Sequence, residues 1–502
     1  MMNKTHIERW LGVPGLMAAL LVVAGCSLAP TYEKPDVNAP AAYKETPALP
    51  ASETGSWKTA QPSEEMLRGE WWTVFDDATL NDLERQAQEA NQNLKAAAAR
   101  VKEARAINQT ARAGLFPTLD AGFGPTREKL SPASQLLPPN ASVPAQTLWR
   151  AEASVSYEVD LFGRVSNSVQ AANADTQQSE ALFRSVQLAL QADVAQNYFN
   201  LRELDAETDV FTRTVTLREE ALKLVQRRFT EGDISELDVA RAKSELATAR
   251  SDAMTVQRLR AASEHGLAVL LGKTPAEFTV AANPLKPVTV RVPPGLPSAL
   301  LERRPDVAAA ERSMAAANAR IGVAKAAFFP SLTLTGSGGF ESATLGDLFN
   351  WSSRTFLLGP FAGTMLNLPI FDGGRRKGNL ANARAVYEED VANYRQQVLV
   401  AFREVEDNLS DLRILETQTA TQADAVNASV RAAQLSRTQY TEGAVNYLDV
   451  IDAERTVLQT QRAAVQLAGT QAVSTVNLIR ALGGGWGDAM PARAPEPSLA
   501  QK

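Results

Sequence analysis

The sequence predicts an α+β membrane protein made of two tandem repeats, each combining a pair of β-strands with a long helical hairpin. Three observations predict it. The phrase "RFTEGDISELDV" at 228–239 returns as "QYTEGAVNYLDV" at 439–450, an offset of 211 residues. Each phrase follows some sixty residues without proline or glycine. Upstream of each such stretch lie segments of alternating polarity, and the whole chain follows an export signal. A repeat this long sets the architecture before any motif is considered.

The first element is the signal, residues 1–25. Lys4 and Arg9 form a basic start, Leu11 to Val23 an apolar run, and Val23-Ala24-Gly25-Cys26 a small-residue cleavage site. The run is too short for a membrane-spanning helix and leads into polar, proline-rich sequence. Val-Ala-Gly-Cys resembles the bacterial lipobox, so Cys26 is expected to carry a diacylglycerol and an N-terminal acyl chain such as palmitate. Several chains give stable anchoring where one is marginal. Ser27 follows, not an inner-membrane-retaining Asp, so a bacterial outer-membrane lipoprotein is expected.

Composition then excludes much chemistry. Of 502 residues Cys26 is the only cysteine, and the histidines are His6, in the signal, and His265. No disulfide, Cys/His metal cluster or Cys–His nucleophile can be assembled. His265 is expected to pack or cap near the end of a helix. The expectation is a protein that is not an enzyme and holds no metal or cofactor beyond the covalent lipid. Net charge is −6 with no basic, aromatic-studded patch, so nucleic acid is not an expected partner. Trp57, Trp71 and Trp72 read as packing anchors.

Two further landmarks repeat in order. Phe116-Pro117 matches Phe329-Pro330 at an offset of 213, and Phe162 in "EVDLFGRVSNS" matches Phe371 in "LPIFDGGRRKGN" at 209. Each repeat thus reads helix, Phe-Pro break, strand, loop, strand, long helix, TEG turn, helix. Residues 26–75 are expected to form a lipidated N-terminal segment. Repeat 1 spans 76–300, with strands near 117–128 and 148–161, a turn at 229–237 and a linker at 272–300. Repeat 2 spans 301–482, with strands near 330–341 and 360–371 and a turn at 440–448. A tail, 483–502, follows.

The helical runs correspond to rods of roughly 90–100 Å at 1.5 Å per residue. Val391, Tyr394, Val398, Phe402, Val405, Leu409 and Leu412 are spaced by threes and fours, as in a coiled coil. In "AEASVSYEVDL" (151–161) apolar and polar residues alternate, the pattern and length of a transmembrane strand. The other strands are weaker versions, and aromatic residues gather near their ends. Four strands cannot close a barrel. Two chains would give a filled tube of eight strands and three a pore of twelve, so a conduit requires at least a trimer.

With these residues in view the chain resembles the outer membrane factors, the TolC-like exit ducts, in their lipoprotein OprM/NodT branch. The resemblance is carried by "CSLAPTYEKPDV", "EWWTVFDDATLNDL", "GLPSALLERRPDVAAAE", "FFPSLTLTG", "PIFDGGRRKGNL" and "YTEGAVNYLDVIDAE". It implies a homotrimer with a twelve-stranded β-barrel in the outer membrane, four strands per chain. A long α-helical barrel would continue it across the periplasm, with an equatorial collar from parts of 27–75, 272–303 and 483–502, which makes the 26–75 segment and the 272–300 linker equatorial. It implies a passive duct for drugs or other small molecules, as in antibiotic resistance, with a periplasmic adaptor (membrane fusion protein) and an inner-membrane RND pump as partners. Type I secretion and metal efflux are the alternatives within the family. A structural lipoprotein spanning the periplasm is the alternative outside it.

The resemblance also assigns the turns. Gly232 and Gly443 would permit the left-handed backbone of two periplasmic hairpin tips. Asp449 and Asp452, three apart, would form an acidic ring at the tunnel mouth that attracts cations. Their other reading is an ordinary helix N-terminus favoured by the dipole. Tyr440 and Asp238 match a network that holds the mouth closed. Val445 stands where TolC has a network arginine, leaving Arg241 or Arg455 as substitutes, or Val445 as an apolar constriction. Phe229, Thr230, Glu231, Gly232 and Asp233, with Thr441, Glu442, Gly443 and Ala444, are the expected adaptor contacts.

Overall fold

A computed structural model describes residues 28–35, 40, 43–45, 70–288, 290, 303–358 and 366–484. The signal, Cys26, Trp57 and the tail from 485 onward lie outside them. Seven α-helices occur among these residues: α1 (Ala78–Ala90), α2 (Gln92–Ala113), α3 (Arg164–Thr230), α4 (Glu236–Leu270), α5 (Pro305–Ala326), α6 (Arg375–Thr441) and α7 (Tyr447–Ala481). The strands are β1 (Thr118–Glu128), β2 (Gln146–Val159), β3 (Ser331–Ser342), β4 (Arg354–Leu358) and β5 (Leu366–Asn367). Helices α3 and α6 both have 67 residues and α4 and α7 both have 35, so the duplication is exact in its hairpin lengths. The residues form two compact units.

The first unit comprises Val101–Ser179, Ala310–Tyr394 and the segment before Pro35. Its sheet is antiparallel, in the order β1-β2-β3-β4, with β5 also paired to β3. Alternation along each strand, combined with the register, puts the apolar residues on one face. Leu119 lies opposite Val155, and Val155 opposite Gly336; Tyr157 lies opposite Leu334, and Leu332 opposite Leu366. The other face carries Asp120, Glu152, Ser154, Ser156, Thr335 and Ser337. The apolar face is bare: Leu119 is 76% exposed, Phe123 62% and Phe356 75%. Glycine is required at Gly339, where a Cβ would collide with the backbone of Ala151 and Glu152 on β2.

The fourth strand is expected at 360–371, of which 360–365 lie outside the described residues; among the described residues pairing with β3 is seen at Arg354–Leu358 and at Leu366–Asn367. The alternation in Arg354–Leu358 is too brief to be distinguished from the preceding loop by sequence alone. Residues 368–371 have no partner on β3, which begins only after Pro330.

The Asp160 carboxylate accepts from the N–H groups of Val165 and Ser166 at the start of α3, and Asp372 from those of Gly374 and Arg376 at the start of α6. The N-terminal segment lies on α5. Tyr32 Oη donates to Glu311 Oε1 at 2.5 Å, and Asn318 Nδ2 donates to the Pro30 carbonyl at 2.9 Å. Gly322 leaves room there, since a Cβ would come within 2.7 Å of Ala29.

The second unit holds the main core. Trp71, Trp72, Leu80, Leu83, Tyr198, Leu267, Leu271, Val476 and Ile479 are buried together, each large side chain contributing roughly 1.5–3 kcal/mol. Trp71 Nε1 donates to Gln191 Oε1 at 3.0 Å, and Tyr198 Oη to Asp77 at 2.5 Å. Both tryptophans thus act as anchors. Along α3, Leu190, Val194 and Tyr198 are buried while Leu182 is 47% exposed. His265, expected to be packed or to cap, is exposed on α4.

The two repeats close identically within this unit. α4 ends at Gly272 (φ +66), whose added Cβ would meet the Ala90 carbonyl oxygen at 2.6 Å; α7 ends at Gly483 (φ +87), whose Cβ would meet that of Arg303 at 2.8 Å. Asn91 Nδ2 donates to the Leu270 carbonyl at 2.8 Å, and Arg304 Nη1 to the Ala481 carbonyl at 3.2 Å. Arg304 is buried, and its guanidinium also pairs with Asp306 and Glu404, both at 2.5 Å. The stretch "RRPD" (303–306) therefore serves as a latch.

Candidate functional site at the hairpin tips

Both TEG turns end their helices in the same way, and both lie in the second unit. In the first, Gly232 (φ +86) donates to Phe229 O at 3.0 Å, and Asp233 donates to Arg228 O at 2.9 Å. In the second, Gly443 (φ +77) donates to Tyr440 O at 3.1 Å, and Ala444 to Gln439 O at 2.8 Å. This is the Schellman arrangement, which satisfies the last helical carbonyls and needs a left-handed residue at the turn. Glycine meets that need without strain. Three residues beyond each glycine come the N-cap positions of the next helices, Ser235 before Glu236 and Asn446 before Tyr447.

Asp238 and Asp449 occupy the same place, the third position of α4 and of α7. The Asp449 carboxylate reaches back to accept from the Asn446 N–H at 3.0 Å, and Ser235 Oγ donates to Asp238 at 3.3 Å. Such a carboxylate satisfies an orphan donor and favours the helix dipole. Asp449 is therefore engaged in its own helix start while its side chain remains at the surface. Asp452, one turn further, has a side chain 62% exposed and lies 3.5 Å from Arg455.

Behind the tips is a small apolar cluster of Val225, Val239, Ala242, Tyr440, Tyr447, Val450 and Ile451, with Val445 and Ile234 packed against it. Val445 is thus half-buried in tip packing. The Tyr440 and Tyr447 rings lie 5.4 Å apart, and the Arg228 guanidinium sits 4.9 Å from the Tyr440 ring centre. Arg228 also donates to the Tyr440 carbonyl at 3.3 Å. Burial raises the pKa of Tyr440, with a lesser push from Asp238 and opposition from Arg228. Burial first, then Glu454, pushes Tyr447 up to about 12. Both phenols are neutral at physiological pH, and the buried Tyr440 hydroxyl faces the Arg228 guanidinium. No bond joins Tyr440 to Asp238 within the chain, although Asp238 bears on it electrostatically.

The two candidate arginines behave differently. Arg241 stays on its own helix, 3.4 Å from Asp238. Arg455 crosses from α7 to pair with Glu245 on α4, and Glu245 also holds Arg218 of α3 at 3.1 Å. The Glu245 and Arg218 side chains are nearly buried, so this three-way ion pair ties three helices together below the tips. Sequence reasoning missed Glu245, Arg218 and Arg228. A signal existed: Glu245 and Arg455, of opposite charge, stand at almost equivalent positions of the two repeats.

The tip surfaces carry apolar side chains the motif reading did not single out. Leu237 is 56% exposed and Leu448 41%, again 211 apart, beside Phe229 at 43%. Thr230, Glu231, Gly232, Asp233, Thr441, Glu442, Gly443 and Ala444 are all exposed. Among the described residues no helix is long and apolar enough to cross a membrane, and no group of three or more His, Cys, Asp or Glu could hold a metal ion.

Comparison with known proteins bears on these features. The sequence pattern described as "Outer membrane efflux protein" matches residues 83–273 and 296–484. The toluene efflux pump outer membrane protein TtgF of Pseudomonas putida is 35% identical over 471 residues, which is 94% of this chain and 96% of that protein. The cation efflux system protein CusC of Escherichia coli is 32% identical over 470 residues, 93% of this chain and 97% of that one. The solved outer-membrane channel OprN superposes with a TM-score of 0.81 at 30% identity, over 92% of this chain and 100% of its own.

Proposed function

Because the chain belongs to the outer membrane efflux protein family, with the fold of the TolC-like outer membrane channels, we propose that it works as a passive homotrimeric exit duct. Its role as an outer-membrane efflux channel reaching into the periplasm follows from that membership. The observation that carries the finer reading is the one-sided sheet with open edges at β1 and β4. A sheet with bare leucine and phenylalanine on one face and carboxylates and hydroxyls on the other suits lipid outside and water inside. Its unpaired edges need further strands in a hydrocarbon environment. Three chains supply a twelve-stranded barrel with a lumen.

The tips would face the periplasm as the controlled mouth. Asp452, exposed and free of the cap, is the carboxylate best placed to act on passing cations, and Asp449 adds its charge while holding the start of α7. The Arg218–Glu245–Arg455 ion pairs would hold the second hairpin against the first in the closed state, with the Arg228–Tyr440 stack above them. Phe229, Leu237 and Leu448, set among the exposed turn residues, would meet a periplasmic adaptor that couples the duct to an inner-membrane RND pump. Lipid on Cys26 would add an anchor, with the following residues strapped to α5. The chain itself carries out no chemistry and holds no cofactor.

Single-channel recording in planar bilayers tests the gate. The wild type should be cation-selective and mostly closed, and Asp449→Ala with Asp452→Ala should weaken cation preference and divalent block. Unchanged conductance and selectivity in the double variant would refute the gate assignment. Organic solutes, as for the toluene pump protein TtgF, are the first reading of the cargo, and the similarity to CusC makes cation efflux the second. Susceptibility of a deletion strain to solvents and antibiotics against metal salts separates them.

A further inference from the structure

Within one chain the two repeats meet at β2 and β3, whose paired residue numbers add to 491, as in Trp149 opposite Ser342. Just beyond that ladder, at the helix-proximal end, Phe162 stacks on Phe329 with ring centres 4.8 Å apart. These two residues also add to 491, so the stack continues the register. The same kinds of residue recur at the two outer ends of the sheet, without partners. Phe371 is 90% exposed and Phe116 67% exposed. Ile370 and Leu119 beside them are 89% and 76% exposed.

The duplication shows what would cover them. Strand β1 maps onto β3 at an offset of 213, from Thr118 to Ser331, the residues that follow each Phe-Pro. Strand β2 maps onto β5 at 211, because Ser156 lies opposite Thr118 and Asn367 opposite Ser331. Transferring the β2–β3 junction through both offsets puts residues 366–371 beside β1 of a second copy, with paired numbers adding to 489. Ile370 then lies opposite Leu119, both on the apolar face, and Phe371 opposite Thr118, diagonal to Phe116 on the other face. Diagonal neighbours are within reach of aromatic side chains. Leu368 to Phe371 outrun β3, so a second copy is the strand that could pair with them.

We propose that Phe371 of one copy packs diagonally on Phe116 of the next, the counterpart of the Phe162–Phe329 stack set two residues earlier because Gly373 stands where the transfer would put Phe162, and that this clasp fixes the register of the seam. The proposal rests on the trimeric reading above and adds the residues that close it. It also requires the edge formed by Leu368 and Ile370 to carry the hydrogen bonds, since Pro369 has no N–H to give.

Cysteine cross-linking of the full chain in membranes tests it. Leu119→Cys with Ile370→Cys should give, on oxidation, a covalent trimer that survives boiling and reverts with dithiothreitol. Leu119→Cys with Leu366→Cys, on the same face but four residues out of register, should stay monomeric. Equal cross-linking of both pairs, or of the second alone, overturns the register. Failure of both while an amine-reactive reagent still captures wild-type trimers overturns the clasp alone; no trimers with that reagent overturns the trimeric reading too. Phe116→Ala and Phe371→Ala should each lower the temperature at which the trimer dissociates in detergent, and the double variant should fall no further than the worse single one. Additive losses would show that the two rings do not touch.

Discussion

Glu84 lies on α1 between Leu83 and Ala87, with no exposed surface and, among the described residues, no hydrogen-bond partner for either carboxyl oxygen. Burial alone pushes its pKa up to about 9, from 4.5 in an unfolded chain. The folded value is the higher one, so the folded state keeps a proton that the unfolded state releases. This group's contribution is fully present below about pH 4.5 and is lost as pH rises toward 9. At about 1.36 kcal/mol per pH unit, the loss between pH 4.5 and 7.5 is about 4 kcal/mol. Glu84→Gln keeps the shape without the titration, at about 1–3 kcal/mol for burying an unsatisfied amide. The variant should therefore be the more stable protein near pH 8, and the wild type should gain on it near pH 5. Urea unfolding of the detergent-solubilised protein, followed by far-UV circular dichroism at both pH values, measures the difference. Parallel pH dependences in the two proteins would refute the reasoning, because only a carboxyl ionising on unfolding separates them.

Other outcomes follow from named contacts. Arg304→Ala leaves Asp306 and Glu404 without their shared cation and should cost about 3–5 kcal/mol by the same unfolding assay. Gly443→Ala places a Cβ at φ +77 and should destabilise the second tip by about 1 kcal/mol, read as faster amide exchange over 439–450. Glu245→Gln removes the anion shared by Arg218 and Arg455 and should raise open probability in planar bilayers with trimers intact. Asp449→Ala should lower local stability at the start of α7 by about 0.3–1 kcal/mol, more than Asp452→Ala, since only Asp449 closes the capping box with Asn446.

The duplication, the long hairpins and the turns were legible because each rests on local rules. A proline- and glycine-free run continues a helix, and the glycines of the two TEG phrases stop one wherever they occur; Gly232 and Gly443 take the same left-handed conformation. The alternation in 151–161 likewise foretold a strand with two chemically different faces. Strand β4 was not legible because it is five residues long and is specified by its pairing with β3 rather than by its own pattern. Asp449 and Asp452 look alike in "LDVID", yet one caps its helix and the other stands clear, a difference of one helical turn relative to Asn446.

The sequence by itself determined where the chain reverses and where its long helices run, since backbone freedom and helix length are properties of neighbouring residues. The tertiary structure alone decided which charges meet. Arg455 chose Glu245 over Asp238 because ion pairing depends on which helix faces lie within a few ångströms, and that is set by packing among α3, α4 and α7. The burial of Glu84 was decided in the same way: a glutamate with ordinary neighbours in sequence is held without a partner among the described residues because the core closes around its helix.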